Sequence, residues 1–522
     1  MAVDLTTPLD WKNATGDATT MLDRLQANIL RPHVREHLAV LFVTFGDPTE
    51  GRTFLQALAP MVKSARQHLD EVEEFHATGT PGSAYVGVGL TASGYAELGI
   101  TVGVPGDGSF TRGMKDPATR TDLHDPPVST WEAHYRGDIH AVILIGDAAD
   151  GGMSATRNAV LDLITGTVTV VGEETGLGQH NSSGDGIEHF GYVDGRSQPL
   201  FLTPDIADEA GEAAGTGGDP ANLDWDPAFP LSRVLVPDTA APEPDVDFGS
   251  YFVFRKLEQN VRRFKQAEED LAEHLGLIGD DRERAGAMLV GRFEDGTPLT
   301  VQPAAGEPVP VTNNFNYDDD THGLKCPFHG HIRKANPRGS GGFEPPAQER
   351  NHIMARRGQT YGQRSDDPDA DVPPTARPTG GVGLLFMAYG LQRRHFPAGG
   401  VRPATVGQQP ELPGGAGWHA GPGAGPGHRP GSPGQHLPAE DLERHRFGRG
   451  RPGTAGGDPE GRRVLLHAVT RFPQHTHPGG LTRAARFPAD PGLVRPTGRR
   501  GGCGGGGPER GRLNGSHRAH GR

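Results

Sequence analysis

Hydrophobic patterning stops at one place in this chain, and that break limits where a folded body can lie. Up to about Tyr389, apolar runs alternate with amphipathic stretches at strand and helix spacing. From Leu391 to Arg522 the periodicity is gone, and the segment carries 20 Arg, no Lys and 8 acidic residues among long Gly, Pro and His runs. The 522-residue chain has a formal charge of −14, so this tail is about +12 and the body about −26. A segment so poor in apolar side chains cannot offset the entropy of ordering its backbone, so residues 391–522 are expected to be disordered. The core must come from what precedes them.

The acidic body argues against a nucleic-acid partner or an anionic membrane. No run of 18 apolar residues is present, and MAVDLTTPLDWKNATGD lacks a basic region followed by an apolar run. Cys326 and Cys503 cannot build a disulfide framework, which suits a reducing compartment. A cytoplasmic protein is expected, with a homo-oligomer left open.

Taken in order, residues 1–20 are polar and expected to be flexible. Residues 21–200 form a first half. Thr20–Leu30 has helical spacing, and His37–Phe45 (HLAVLFVTF) reads as a buried strand. Helical patterns at Arg52–Ala65, Ala92–Leu98 and Gly152–Ile164 intersperse strands at Ala84–Leu90, Asp138–Gly146 and Thr167–Glu173. Residues 201–245 read as a loop-rich acidic insert. A second half, 246–390, opens with a strand at Gly249–Arg255 and a helix at Gln259–Leu275. This order predicts an α+β fold with helices against antiparallel sheets.

The densest chemistry lies in Gly323–Arg338, GLKCPFHGHIRKANPR. Two histidines, His329 and His331, follow an apolar Cys-Pro-Phe, and Arg333, Lys334 and Arg338 come after them. A neutral imidazole beside apolar groups, with clustered cations, suits a large apolar cofactor carrying a metal and carboxylates; haem is one. A His-x-His pair on a strand would share one face and could hold zinc, although no Cys-x-x-Cys completes such a site. A lone histidine in apolar surroundings is also commonly a satisfied core residue. On the residues alone all three readings stand.

This segment resembles the proximal-ligand motif of the dye-decolourising peroxidases, close to CPFxAHIRKxNPR. His189–Pro199, HFGYVDGRSQP, is similar to the family's FGFxDGxSQP, and Ile353–Gly362, IMARRGQTYG, to its ILRRGxPYG. Gly383–Tyr389, GLLFMAY, matches a late core strand. The four segments occur in family order, within a resemblance spanning roughly residues 20–389. It implies two ferredoxin-like halves, with haem b (iron protoporphyrin IX) held largely by the second. His331 would ligate the iron, Asp194 and Arg356 would form the distal pair, and Arg333 would help hold the cofactor. Arg357 is the alternative to Arg356. Two departures stand out: His329 replaces a small residue, and Gln359-Thr360 replaces x-Pro.

Cleaving hydrogen peroxide requires moving one proton between its oxygens and stabilising charge as the bond breaks. A carboxylate can do the first and a permanently charged guanidinium the second. The resemblance therefore implies a peroxidase using hydrogen peroxide and aromatic or dye-like donors. A haem-binding or haem-handling protein without turnover is the alternative.

The family continues past GLLFMAY with a helix and a closing strand of the form Gly-Gly-x-Tyr-Phe-Phe-x-Pro-Ser, both missing here. Back-translated and read one base later, Leu391–Pro413 gives SNAGISRQEEFDPQLWANNPNF, and Arg462–Thr476 gives GGYFFTPSLDFLNT. Two family-like segments in the same shifted frame and in order point to a frameshift near Tyr389–Leu391 as the expected origin of the tail. Its Gly/Arg richness is then no sign of RNA binding. The expected cost is an incomplete second half, lacking a strand and the acidic partner of the proximal histidine.

Overall fold

The computed structural model describes residues 2–215, 219, 221–306, 312–341, 344–368, 370 and 372–390. The tail expected to be disordered lies outside them.

The first sheet is antiparallel, with strands β1 (His37–Thr44), β2 (Tyr85–Leu90), β3 (Ala141–Asp147) and β4 (Thr169–Leu177) in the order β2-β3-β1-β4. β1 sits in the middle, paired with β3 from His37↔Asp147 and with β4 from His37↔Leu177. Its apolar run is continuous because both faces are covered, and Leu38–Val43 are all buried. Alternate side chains serve the two faces. Ala39, Leu41 and Val43 pack with Phe54 and Leu58 of the helix Pro48–Leu58 and with Met153 and Val160 of the helix Asp150–Asp162. Leu38, Val40 and Phe42 point the other way, onto a second sheet.

That second sheet contains β7 (Tyr251–Glu258), β8 (Ala355–Arg356), β9 (Gln359–Tyr361) and β10 (Gly383–Gly390); a short pair, β5 (Val236–Pro237) and β6 (Phe248–Gly249), precedes it. β10 pairs with β7 on one side and with β8 and β9 on the other, all antiparallel. Leu385 and Met387 of β10 join Phe252 and Phe254 of β7 against Leu38, Val40, Phe42 and Leu144. Each large apolar side chain buried there contributes about 1.5–3 kcal/mol. The α+β architecture with antiparallel, helix-covered sheets is the one expected.

Helix boundaries follow local chemistry. Asp47 caps the helix Pro48–Leu58 by accepting from the amides of Thr49 and Glu50, and Pro48 occupies its first turn. Asn260 caps Val261–Leu275, which ends at Gly276 with φ +68°.

Three expectations are corrected. Residues 1–20 are tied down: Trp11 is buried, and Leu9 donates its amide to Phe201 O at 2.8 Å. The insert 201–245 contains the helix Thr203–Gly215, and its Phe229, Leu231, Val234 and Leu235 pack in one core with Trp11 and Leu22. Its Ala/Glu-rich opening after Thr-Pro favours a helix, which acidity alone conceals. Finally, His329 and His331 do not lie on a strand, because a helix begins at His331 and runs to Ala335.

Candidate active site

Three segments distant in sequence meet at the site. The first is a hairpin-like turn. Ile187 bridges Val193, and the Glu188 carboxylate closes the loop by accepting from the amides of Phe190 (2.9 Å) and Tyr192 (3.1 Å). Burial pushes the Glu188 carboxyl up to about 7, against these donors. Gly191 at φ +100° and Gly195 at φ +83° allow the reversal that places Asp194. Asp194 donates its amide to Gly186 O at 3.0 Å, and its Oδ1 accepts from Gly195 N at 2.6 Å.

The second segment is β8, held by the register Ala388↔Arg356. Arg356 donates its amide to Gln198 Oε1 (3.1 Å) and its Nη2 to Arg196 O (2.5 Å). Its Nη1 lies 3.4 Å from Asp194 Oδ1, with side-chain exposures of 37% and 41% for the two partners. A small molecule can therefore reach both groups. Arg357 points elsewhere: it is buried and donates to Asn28 O (2.6 Å), Ile29 O (2.8 Å) and Arg356 O (2.8 Å). Consecutive residues of an extended segment face opposite ways, and the pairing with β10 decides which arginine meets Asp194.

The third segment carries His331, half-buried at the first position of its short helix. Burial, then the nearby Arg356 charge, holds its pKa below the usual histidine value, while Asp194 acts in the opposite sense. A neutral imidazole with a free lone pair is what iron ligation requires. Among the described residues, no hydrogen bond to the His331 ring is formed. His329 is exposed, so the two histidines occupy different surroundings.

Arg333 is placed differently from its expected role. It is 1% exposed, and its guanidinium donates to Asp320 Oδ2 (2.8 Å), Asp320 O (2.8 Å), Cys326 O (2.6 Å) and Ser340 Oγ (3.2 Å). It also lies over the Tyr317 and Phe328 rings at 4.4 and 4.3 Å. Its donors fold the proximal loop on itself. Cys326 is buried within that loop, its thiol pushed up to about 12 by burial.

Sequence reasoning passed over Ser197. Its hydroxyl accepts from Arg338 Nη2 (2.9 Å) and Arg292 Nη2 (3.0 Å) and donates to Asn313 Oδ1 (3.0 Å). It thereby pins the Asp194 loop to the end of the proximal segment. Its position inside HFGYVDGRSQP and the closing Asn-Pro-Arg of the proximal motif were the available signals.

Among the described residues, one cluster could hold a metal by ligand type: Glu132, His134 and Glu174. Lys256 Nζ lies 2.9 Å from Glu132 and 2.8 Å from Glu174, so an ammonium already pairs with both of its carboxylates. Among the described residues, His329 and His331 belong to no such group. No helix among the described residues is long and apolar enough to cross a membrane.

Comparisons with known proteins agree with this geometry. A family profile described as the DyP dimeric alpha+beta barrel domain matches residues 24–177. The multifunctional dye peroxidase DyP2 of Amycolatopsis sp. is 62% identical over 389 residues, 74% of this chain and 82% of that protein. A solved structure of DyP2 from Amycolatopsis sp. superposes with a TM-score of 0.72 at 61% identity, covering 77% of this chain and 84% of that one. A DyP-type peroxidase of Anabaena sp. gives a TM-score of 0.68 at 35% identity, covering 75% and 83%. The proteins it resembles are named as enzymes with turnover, which favours catalysis over haem handling. With that identity across most of a named peroxidase, and with the matching fold, this chain belongs to the dye-decolorizing (DyP-type) peroxidase family.

Proposed function

We propose that this haem-dependent peroxidase reduces hydrogen peroxide and draws electrons from aromatic or dye-like donors, with haem b bound between His331 and the Asp194–Arg356 pair. The observation that carries the reading is that pair, 3.4 Å apart and open to a ligand, within electrostatic reach of a half-buried neutral imidazole. The residues fit the cofactor: His331 offers the iron a lone pair, and Asp194 and Arg356 offer a polar face. Arg333 supports the proximal loop, because its donors are already engaged. When bound, haem supplies the redox iron and a conjugated ring able to pass electrons.

The chain's own groups handle protons and charge. The Asp194 carboxylate accepts a proton from one peroxide oxygen and returns it to the departing one, so that the departing oxygen leaves as water. Gly195 N and Arg356 hold its carboxylate in place. Arg356 stays charged throughout and stabilises negative charge as the O–O bond lengthens.

The frameshift reading rests on the two family-like segments recovered in one shifted frame. We place the enzyme in the cytoplasm on its sparse cysteine content. A homo-oligomer accords with the word dimeric in the family's description. The deciding experiment is peroxide-dependent oxidation of an aromatic dye by the haem-loaded, frame-restored chain, beside Asp194→Asn and Arg356→Leu. Wild-type rates in both variants would overturn the assignment.

A further inference from the structure

A second carboxyl, Glu188, lies behind the turn that presents Asp194. It sits at the base of that turn, where its amide donates to Tyr192 O at 3.1 Å and its carbonyl accepts from Gly191 N at 2.9 Å. Its side chain bends back into the same backbone: Oε2 accepts from Phe190 N at 2.9 Å and Oε1 from Tyr192 N at 3.1 Å. Oε2 also accepts from Gln259 Nε2, just past the end of β7. Both oxygens are therefore spent on holding the turn, and among the described residues Glu188 forms no ion pair.

The charged groups around it are engaged elsewhere. On its own turn, His189 faces Tyr361 O at 2.8 Å, and Tyr192 donates its hydroxyl to Glu268 of the helix Val261–Leu275. From that helix Lys265 pairs with Glu268 at 3.0 Å and with Glu294, whose carbonyl accepts from Val193 N at 2.9 Å. From the segment after β9, Arg364 pairs with Asp366 and donates to His189 O at 2.6 Å. Burial pushes the Glu188 carboxyl up to about 7; Phe190, Gln259 and Tyr192 pull it down, and the Asp194 charge adds to the rise. Gln259 can serve the protonated acid as well. It is 1% exposed, and its Oε1 is buried with no hydrogen-bond partner among the described residues. A half-turn of the amide exchanges Nε2 for Oε1 and gives the O–H of a protonated Glu188 its acceptor.

We propose that Glu188 is a positioning residue for Asp194: a proton shared with Gln259 locks the turn closed, and loss of that proton loosens it. The carboxyl's value in the closed turn lies above its ordinary 4.5, so the closed turn binds the proton more tightly than an opened one. The stabilisation is complete below about pH 4.5 and is lost as pH rises through about 7. In the closed form Ile187 bridges Val193 and Asp194 donates its amide to Gly186 O, and from there Asp194 reaches Arg356 at 3.4 Å. Glu188 acts on the reaction only through Asp194, so this role rests on the proton transfer proposed for Asp194, whereas the order of the turn is read without turnover.

The test is residue-resolved amide exchange of the 522-residue protein from about pH 5 to about pH 9, corrected for intrinsic exchange, with Leu41 of β1 reporting global opening. Protection of the Phe190 and Tyr192 amides should fall about tenfold or more as pH rises through about 7, against about a hundredfold for full release of the carboxyl to water. Leu41 should show no such step. Glu188→Gln, a neutral stand-in for the protonated acid, should keep the turn protected at every pH. Asp194→Asn removes a like charge, so its step should move to lower pH. A wild type without the step, or the same step in Glu188→Gln, would overturn the proposal. So would turn protection lost at every pH in a folded Glu188→Gln, the mark of a purely structural carboxylate. If Glu188→Gln does not fold, the wild-type and Asp194→Asn profiles decide, and a step that stays in place or moves up in Asp194→Asn overturns it. Failure of the catalytic reading shows separately, as wild-type turnover by Asp194→Asn with the exchange step still present.

Discussion

Arg356 and Arg357 are neighbours of identical chemistry, yet replacing each by leucine should give opposite results. Arg357 is buried and holds three backbone carbonyls, two of them in the segment Asn28–Ile29. Leucine would leave those acceptors without donors in a site closed to water, at about 1–3 kcal/mol each. The expected loss is about 3–9 kcal/mol, against a total stability of about 5–15 kcal/mol for a typical fold. Arg356 makes a 3.4 Å pair with Asp194 in which both side chains are more than a third exposed. Such a pair contributes about 0–1 kcal/mol to stability after screening. Its value lies in the reaction, where losing one preorganised positive group costs about 10²–10³ in rate. Urea unfolding measures the first quantity, and peroxide-driven dye oxidation by the haem-loaded, frame-restored chain measures the second. Arg357→Leu should lower the unfolding midpoint sharply, whereas Arg356→Leu should leave it nearly unchanged and abolish most turnover. If Arg357→Leu removed turnover without loss of stability, or if Arg356→Leu destabilised the fold and spared turnover, the orientations argued here would be wrong.

Asp194→Asn should reduce kcat/KM by about 10²–10⁴, and an unaffected Asn variant would reassign the base. His331→Ala should abolish the Soret band in a haem titration at unchanged far-UV circular dichroism, and an unchanged Soret band would reject His331 as the ligand. The same titration on the 522-residue and frame-restored chains should show tighter haem binding by the restored chain; equal affinity would mean the body alone is sufficient. Burial, reinforced by Arg35 and Lys63, lowers the His68 pKa to about 3. Because the folded value lies below the unfolded one, the unfolded state binds the proton more readily. The stability His68 confers is complete above about pH 6.5 and is lost as pH falls toward 3. Between pH 8 and 5, wild type should lose about 2 kcal/mol more than His68→Gln; identical pH slopes in the two proteins would refute a neutral, buried His68.

Much of the fold was legible because it rests on short-range regularities. The run HLAVLFVTF is apolar at every residue from Leu38 to Val43, which only a strand covered on both faces would need. The helix Val261–Leu275 was legible from spacing, expected as Gln259–Leu275, and the structure adds the Asn260 cap and the Gly276 stop. The insert 201–245 misled because net acidity masked a helix, and residues 1–20 misled because Trp11 and Leu9 find their partners nearly 200 residues away, at Phe201 and Leu202. Periodicity carries no information about contacts at that separation.

The sequence by itself determined which residues could do the chemistry: an aspartate in a glycine turn, adjacent arginines before Gly-Gln-Thr-Tyr, and a histidine followed by cations. Only the tertiary structure decided how the basic side chains are used. Arg356 reaches Asp194 and Arg357 turns inward because β8 is registered on β10 at Ala388↔Arg356. Arg333, indistinguishable in sequence from a cofactor-binding cation, is drawn into the protein by Asp320 and two aromatic rings. A charge in a sequence states what a group can offer, and its partners in the fold decide whether anything remains to be offered to a ligand.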